Sequence, residues 1–141
     1  GGKVKTPTLA GKYSEEFNIY AGPKETLLNS INLFKTVATE NGRDEQALEI
    51  TTACPPVVGL TKESVDNSLI NAAKALIQPE DEIAKNWKER SYLYGTPEDV
   101  VKTLSMWQEV GIEAVYLQLL DLEPSKRDES VEVIRQAINL L

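Results

Sequence analysis

The sequence predicts an α/β fold built on a parallel sheet, and three observations predict it. Helical and strand-like segments alternate as β-α-β-α-β-α across 141 residues, with one further helical insertion before the third strand. A unit recurs: Gly22-Pro23 and Gly95-Thr96-Pro97 each open a helix that closes on a glycine shortly before a strand. The last strand, "AVYLQLL", is apolar on both alternating faces, as a strand covered by helices should be. Alternation of this kind means right-handed crossovers. Two architectures satisfy it, a small doubly wound sheet or part of an eight-stranded barrel. Three strands are few for an open sheet, where about five or six is usual, so the barrel is favoured.

Each element has a local reason. Residues 5–14 carry a weak helical pattern, and Pro7 confines any helix to start near it. "EFNIYAG" has strand character, with a strand expected over Phe17–Tyr20. In "GPKETLLNSINLFKTVATENG", Gly22 is expected as N-cap, Pro23 as the first helical residue and Gly42 as the C-terminal stop. Leu27, Leu28, Ile31, Phe34, Val37 and Ala38 fall on one face. A second strand is expected over Leu48–Ala53, stopped by Pro55-Pro56. Thr61 is expected to cap a helix whose apolar face is Val65, Leu69, Ala72, Ala73 and Leu76, and a shorter polar helix follows Pro79. Thr96, Pro97 and Asp99 form a capping signature for a helix with Val100, Val101, Leu104, Trp107 and Val110 inward, ended by Gly111. The third strand is expected over Ala114–Leu120. Asp128 is then expected to cap a last helix, with Val131, Ile134, Ala137, Ile138 and Leu141 inward.

Composition bounds the function. Hydrophobic residues make up 41% and charged residues 26%, the balance of a soluble globular domain. A net charge of −7 argues against a nucleic-acid or anionic-membrane partner. No apolar run is long enough for a bilayer, and one cysteine with no signal-peptide pattern fits a reducing cytoplasm. The absence of histidine removes the commonest general base and metal ligand, and no metal site is expected. The chain opens Gly1-Gly2 without methionine, so sequence upstream is expected.

Three stretches carry a family resemblance, in order and over nearly the whole chain. "GGKVKTPTLAGKYSEEFN" holds Gly1-Gly2, Lys5, Thr6, Leu9, Lys12, Tyr13, Glu15 and Phe17-Asn18. It resembles the segment after the fifth strand of luciferase-like flavin monooxygenases and deazaflavin-dependent oxidoreductases. "ENGRDEQALEI" resembles that family's Gly-Arg-Asp turn before the seventh strand, and "YGTPEDVVKTLSMWQEVGIEAVYLQ" its Gly-Thr-Pro-Glu helix and last strand. The sequence departs from the pattern at Glu15-Glu16-Phe17, often Asp-Gly-Trp in the family, and at Pro7. The resemblance implies that residues 1–141 form a single domain, the C-terminal half of a (β/α)8 TIM barrel with about three parallel strands and outer helices. It implies an oxidoreductase using FMN or the deazaflavin coenzyme F420 on a small organic substrate, by hydride transfer or monooxygenation. A fragment with open edges is expected to form a homo-oligomer or to pair with its missing half-barrel. The competing reading is a non-catalytic α/β interaction domain.

The same resemblance places the cofactor phosphate at Gly1, Gly2, Lys5 and Thr6, where backbone amides, a helix N-terminus, a cation and a hydroxyl suit an anion. The competing reading of Gly1-Gly2 is a flexible end. Asn18 and Tyr20, at a strand end, are candidates for the substrate mouth, against an ordinary half-buried tyrosine. Gln118, in an apolar strand, is either a substrate or flavin contact or a structural amide inside the barrel. Cys54 reads as a small apolar residue, since no histidine activates it. Trp87 and Trp107 read as packing, and Glu80-Asp81-Glu82 as a solvated helix start. No catalytic side chain is identified.

Overall fold

The computed structural model describes residues 2–120 and 123–141. They form two compact units, one of Gly1–Ala53 with Trp107–Tyr116, the other of Cys54–Met106 with Leu117–Leu141.

The first unit is built around a parallel sheet. Its strands are β1 (Glu16–Tyr20), β2 (Glu49–Cys54) and β5 (Ala114–Leu117), in the order β1-β2-β5. β1 pairs with β2 in parallel, Glu16 opposite Glu49 and Tyr20 opposite Ala53. On β1 the odd positions Phe17 and Ile19 are buried while Glu16, Asn18 and Tyr20 are exposed. A period of two thus leaves one face covered and one open. The covered face receives α2 (Lys24–Glu40), whose Leu27, Ile31, Phe34, Val37 and Ala38 are buried, with the Phe17 and Phe34 rings 4.9 Å apart.

Helix α1 (Lys5–Tyr13) lies against α2 and buries only Pro7, Ala10 and Gly11. A Cβ at Gly11 would stand 2.6 Å from the Phe34 carbonyl oxygen and 2.9 Å from Val37 Cβ, so only glycine allows this approach. α2 stops as its sequence indicates: Gly42 takes φ +72°, and Arg43 N–H reaches back to the Ala38 carbonyl at 3.0 Å. Its start is one residue later than expected. Pro23 is itself the N-cap, its carbonyl accepting from Leu27 N–H at 3.1 Å.

The second unit holds a two-stranded parallel sheet that the sequence reading lacked, β3 (Val57–Val58) with β4 (Tyr94–Gly95). Pro55-Pro56 ends β2, but the chain resumes pairing at once: Val57 N–H donates to the Leu93 carbonyl at 2.9 Å. Around it stand α3 (Lys62–Leu76), α4 (Glu80–Glu89), the first turns of α5 (Pro97–Glu109) and α6 (Pro124–Ile138). Val57, Ala72, Ile83 and Trp87 form its core, with Leu69, Tyr92, Tyr94 and Leu120 packed against them. Thr61 and Ser64 complete a capping box on α3, and Asp99 reaches back to Thr96 N–H at 3.4 Å.

Three expectations are corrected. The third strand ends at Leu117 rather than Leu120. The last helix starts at Pro124, not Asp128, because proline suits the first turn and Glu123 O accepts from Lys126 N–H at 3.1 Å. Of the expected inward set Ile134 and Ala137 are buried, with Ser130 and Val133 beside them, while Val131, Ile138 and Leu141 are at least half exposed.

Candidate functional site

Two places in the first unit gather the residues named from sequence. The first is the start of α1. No side chain caps this helix, its first turn holds no acid, and Lys5 and Thr6 are exposed. Thr6 N–H makes a long bond of 3.4 Å to the Gly2 carbonyl, four residues back, and Thr8 N–H makes a shorter bond of the same spacing to Val4 at 3.1 Å. The amides before them have no intrahelical partner, as at any helix N-terminus. A Cβ at Gly2 would meet only Lys5, at 3.8 Å. Gly1 lies outside the described residues.

The far end of α1 is held by a residue to which the sequence reading gave no role. Arg43 Nη1 donates to the carbonyls of Gly11 at 2.9 Å and Ala10 at 3.3 Å. A guanidinium there meets the Gly11 carbonyl, shares the Ala10 carbonyl with Ser14 N–H, and sits at the negative end of the helix dipole. The Gly-Arg-Asp turn was visible in the sequence. The partner was not, because it lies 32 residues away.

The second place is the open face of the sheet. Asn18 and Tyr20 stand on it together, Tyr20 79% exposed at the end of β1. Asn18 Nδ2 donates to Thr51 Oγ1 at 2.9 Å, and Thr51 Oγ1 donates to Glu16 Oε1 at 2.5 Å. Thr51 is fully buried beneath these side chains. Tyr116 joins the same group. The charge of Glu16 pushes its phenol pKa up, helped by desolvation, a hydrogen bond to that carboxylate and the charge of Glu49. Tyr116 therefore stays a neutral donor to Glu16 at ordinary pH.

Gln118 belongs to the second unit, exposed just past β5, with its backbone N–H donating to the Cys54 carbonyl at 3.1 Å. Cys54 is buried, and its thiol is pushed up to about 11 by burial, a backbone hydrogen bond from Leu93 pulling partly back. A thiol so protonated is no nucleophile. Trp87 and Trp107 are buried, and Trp87 Nε1 donates to the Pro55 carbonyl at 2.8 Å. A cleft of about 570 Å³ in the second unit, lined by Lys88, Tyr92, Tyr94 and Lys102 among others, holds none of the cofactor or substrate-mouth residues expected from sequence. Among the described residues, no group of three acids, histidines or cysteines could hold a metal, and no helix is long and apolar enough to cross a membrane.

Parallel strands with crossover helices, one sheet face open, are the architecture of part of a (β/α)8 barrel. Solved structures of that class match. An EDTA monooxygenase from Chelativorans sp. BNC1 superposes with a TM-score of 0.73 at 15% identity, over 99% of this chain and 44% of that one. An F420-dependent secondary alcohol dehydrogenase, in complex with an F420-acetone adduct, gives 0.67 at 21% identity, over 94% of this chain and 46% of that one. A riboflavin lyase with modified FMN and its substrate riboflavin gives 0.63 at 13% identity, over 96% of this chain and 40% of that one. The chain spans less than half the length of each. The fold expected from the sequence is therefore present, and two of these structures hold F420 as an acetone adduct and modified FMN. No model of a protein family and no curated protein matches the sequence.

Proposed function

We propose that this chain is the cofactor-phosphate-bearing part of a flavin- or deazaflavin-dependent oxidoreductase or monooxygenase acting on a small organic substrate. The observation that carries the reading is the fold, shared over 94% or more of the chain with enzymes of that chemistry. FMN or F420 would supply the hydride-transferring or oxygen-activating ring.

The chain's own residues supply the grip. At the start of α1 the free amides, the Lys5 ammonium and the Thr6 hydroxyl form a donor set suited to a phosphate, and no carboxylate in the first turn opposes it. Gly1 and Gly2 would let the backbone approach the anion. Asn18 and Tyr20 would line the substrate mouth from the open sheet face, and Gln118 offers a further amide. The cofactor ring and the catalytic side chains are assigned to the rest of the barrel, so this chain alone is expected to bind cofactor poorly and to self-associate or pair.

The test is a fluorescence titration of FMN and F420 into the full-length protein that carries this sequence. Thr6→Ala removes one hydrogen bond to a charged group, about 1.5–3 kcal/mol, or roughly ten- to a hundredfold in affinity. Lys5→Ala also weakens binding, by a factor that shrinks as salt rises. Unchanged affinity in both variants rejects the phosphate site. Failure of the wild type to bind either cofactor rejects the enzyme reading in favour of an interaction domain.

A further inference from the structure

The hydrogen-bond chain on the open sheet face has a direction, and the direction decides what the face can bind. Thr51 is fully buried and its hydroxyl carries a single proton. Its Oγ1 lies 2.5 Å from Glu16 Oε1 and 2.9 Å from the Asn18 side-chain amide. A carboxylate only accepts, so the threonine's proton must point at Glu16. Two oxygens this close without a proton between them would repel. Thr51 therefore turns a lone pair toward Asn18, and only the NH2 end of the asparagine can meet it. This fixes the amide by chemistry, independently of how its oxygen and nitrogen are assigned.

With its NH2 turned inward, Asn18 presents its carbonyl oxygen outward. Nothing meets that oxygen among the described residues, and Asn18 is exposed two positions before Tyr20 on the same face.

We propose that Glu16, acting through the buried Thr51 hydroxyl, fixes Asn18 as a hydrogen-bond acceptor on the open sheet face, so that the face takes a ligand bearing an O–H or N–H donor. Glu16 is a positioning residue and Asn18 sets specificity. The proposal deepens the proposed function and rests on its assignment of this face to the substrate mouth.

Glu16→Leu is the decisive variant, because it removes the acceptor and supplies no other. With no acceptor for its proton, Thr51 can either accept from Asn18 or donate to it, and the amide is no longer held with its NH2 inward. Thr51→Val breaks the relay altogether. The experiment is NMR on the full-length protein, following the Asn18 side-chain NH2. The probes are 2-propanol and acetone, which share a carbon skeleton and differ in the donor.

In the wild type the Asn18 NH2 exchanges slowly and 2-propanol binds about tenfold more tightly than acetone, the size of one hydrogen bond. In Glu16→Leu the exchange speeds up and the preference for 2-propanol disappears, and in Thr51→Val the preference disappears likewise. Unchanged exchange and preference in Glu16→Leu overturns the proposal, as does an intact preference in Thr51→Val. Failure of both probes to perturb Asn18 in the wild type overturns its ligand half. The cofactor titration is separate: a wild type that binds neither cofactor while Asn18 responds as expected defeats only the cofactor reading, and the converse defeats only this one.

Discussion

Replacing Arg43 with glutamine should loosen α1 selectively. This helix has little else to hold it: its buried residues are Pro7, Ala10 and Gly11, with no large apolar side chain among them. Arg43 supplies one good charged hydrogen bond at 2.9 Å and a longer one at 3.3 Å to the last carbonyls. A bond with a charged donor contributes about 1.5–3 kcal/mol, and the dipole adds up to about 2 in a favourable partly buried setting. Taking about 2 kcal/mol as the net loss, the protection of α1 amides against hydrogen exchange falls about thirtyfold. The assay is exchange read by mass spectrometry or NMR, with α2 amides as the internal reference. Arg43→Lys, which keeps the charge, should fall between the two. The reasoning fails if α1 protection drops no more than that of α2, for then the clamp contributes nothing to holding the helix.

Two further outcomes are expected. Ile77 ends α3 at φ 54° and ψ 47° and is 92% exposed, so its β-branched side chain strains the backbone without being buried. Ile77→Gly relieves about 1–2 kcal/mol and costs about 0.5–1 in unfolded-chain entropy. Thermal melting should rise by about 2–4 °C, and a fall would refute it. The Cys54 thiol, raised from 9.0 to about 11, favours its protonated form in the folded state. Its contribution is full below pH 9 and is lost as pH rises from 9 through 11, about 3 kcal/mol in all. Urea unfolding across that range should show the slope in the wild type and lose that part of it in Cys54→Ala.

Local signals were legible in the sequence, and long-range ones were not. Thr61, Gly42, Thr96 and Gly111 mark helix ends because a cap depends on neighbours within a few residues. The two-residue strands β3 and β4 escaped because no period can show in two residues, and Pro55-Pro56 looked final. Gly11 carries no signal of its own in the sequence, and only the approach to Phe34 and Val37 gives its reason. Asp128 looked like a cap because aspartate favours that position, but Pro124 suits a helix start four residues earlier. Of the site, the residue types were legible at Asn18 and Tyr20. Glu16 and Thr51 were not, since their meeting depends on the register of β1 against β2, 35 residues apart.

That register also supports the proposal that the open face is ligand-facing. Thr51 and Thr52 are adjacent and both fully buried, so β2 is covered on its two sides by different means. On the helix side, Thr52 Oγ1 donates to the Ile19 carbonyl at 2.8 Å, a local bond that only satisfies the hydroxyl. On the other side, Thr51 is covered by polar side chains that continue outward to an unmet acceptor and an exposed tyrosine. A face destined only for packing would carry apolar residues there, because burying polar groups costs energy unless each is paired. The polar chain leaves one acceptor over, on the side of the sheet that the helices leave free. In a barrel that side is the interior, and at the C-terminal ends of the strands it opens on the reaction space. An acceptor held there by a buried relay is what a binding surface needs and a packing surface does not.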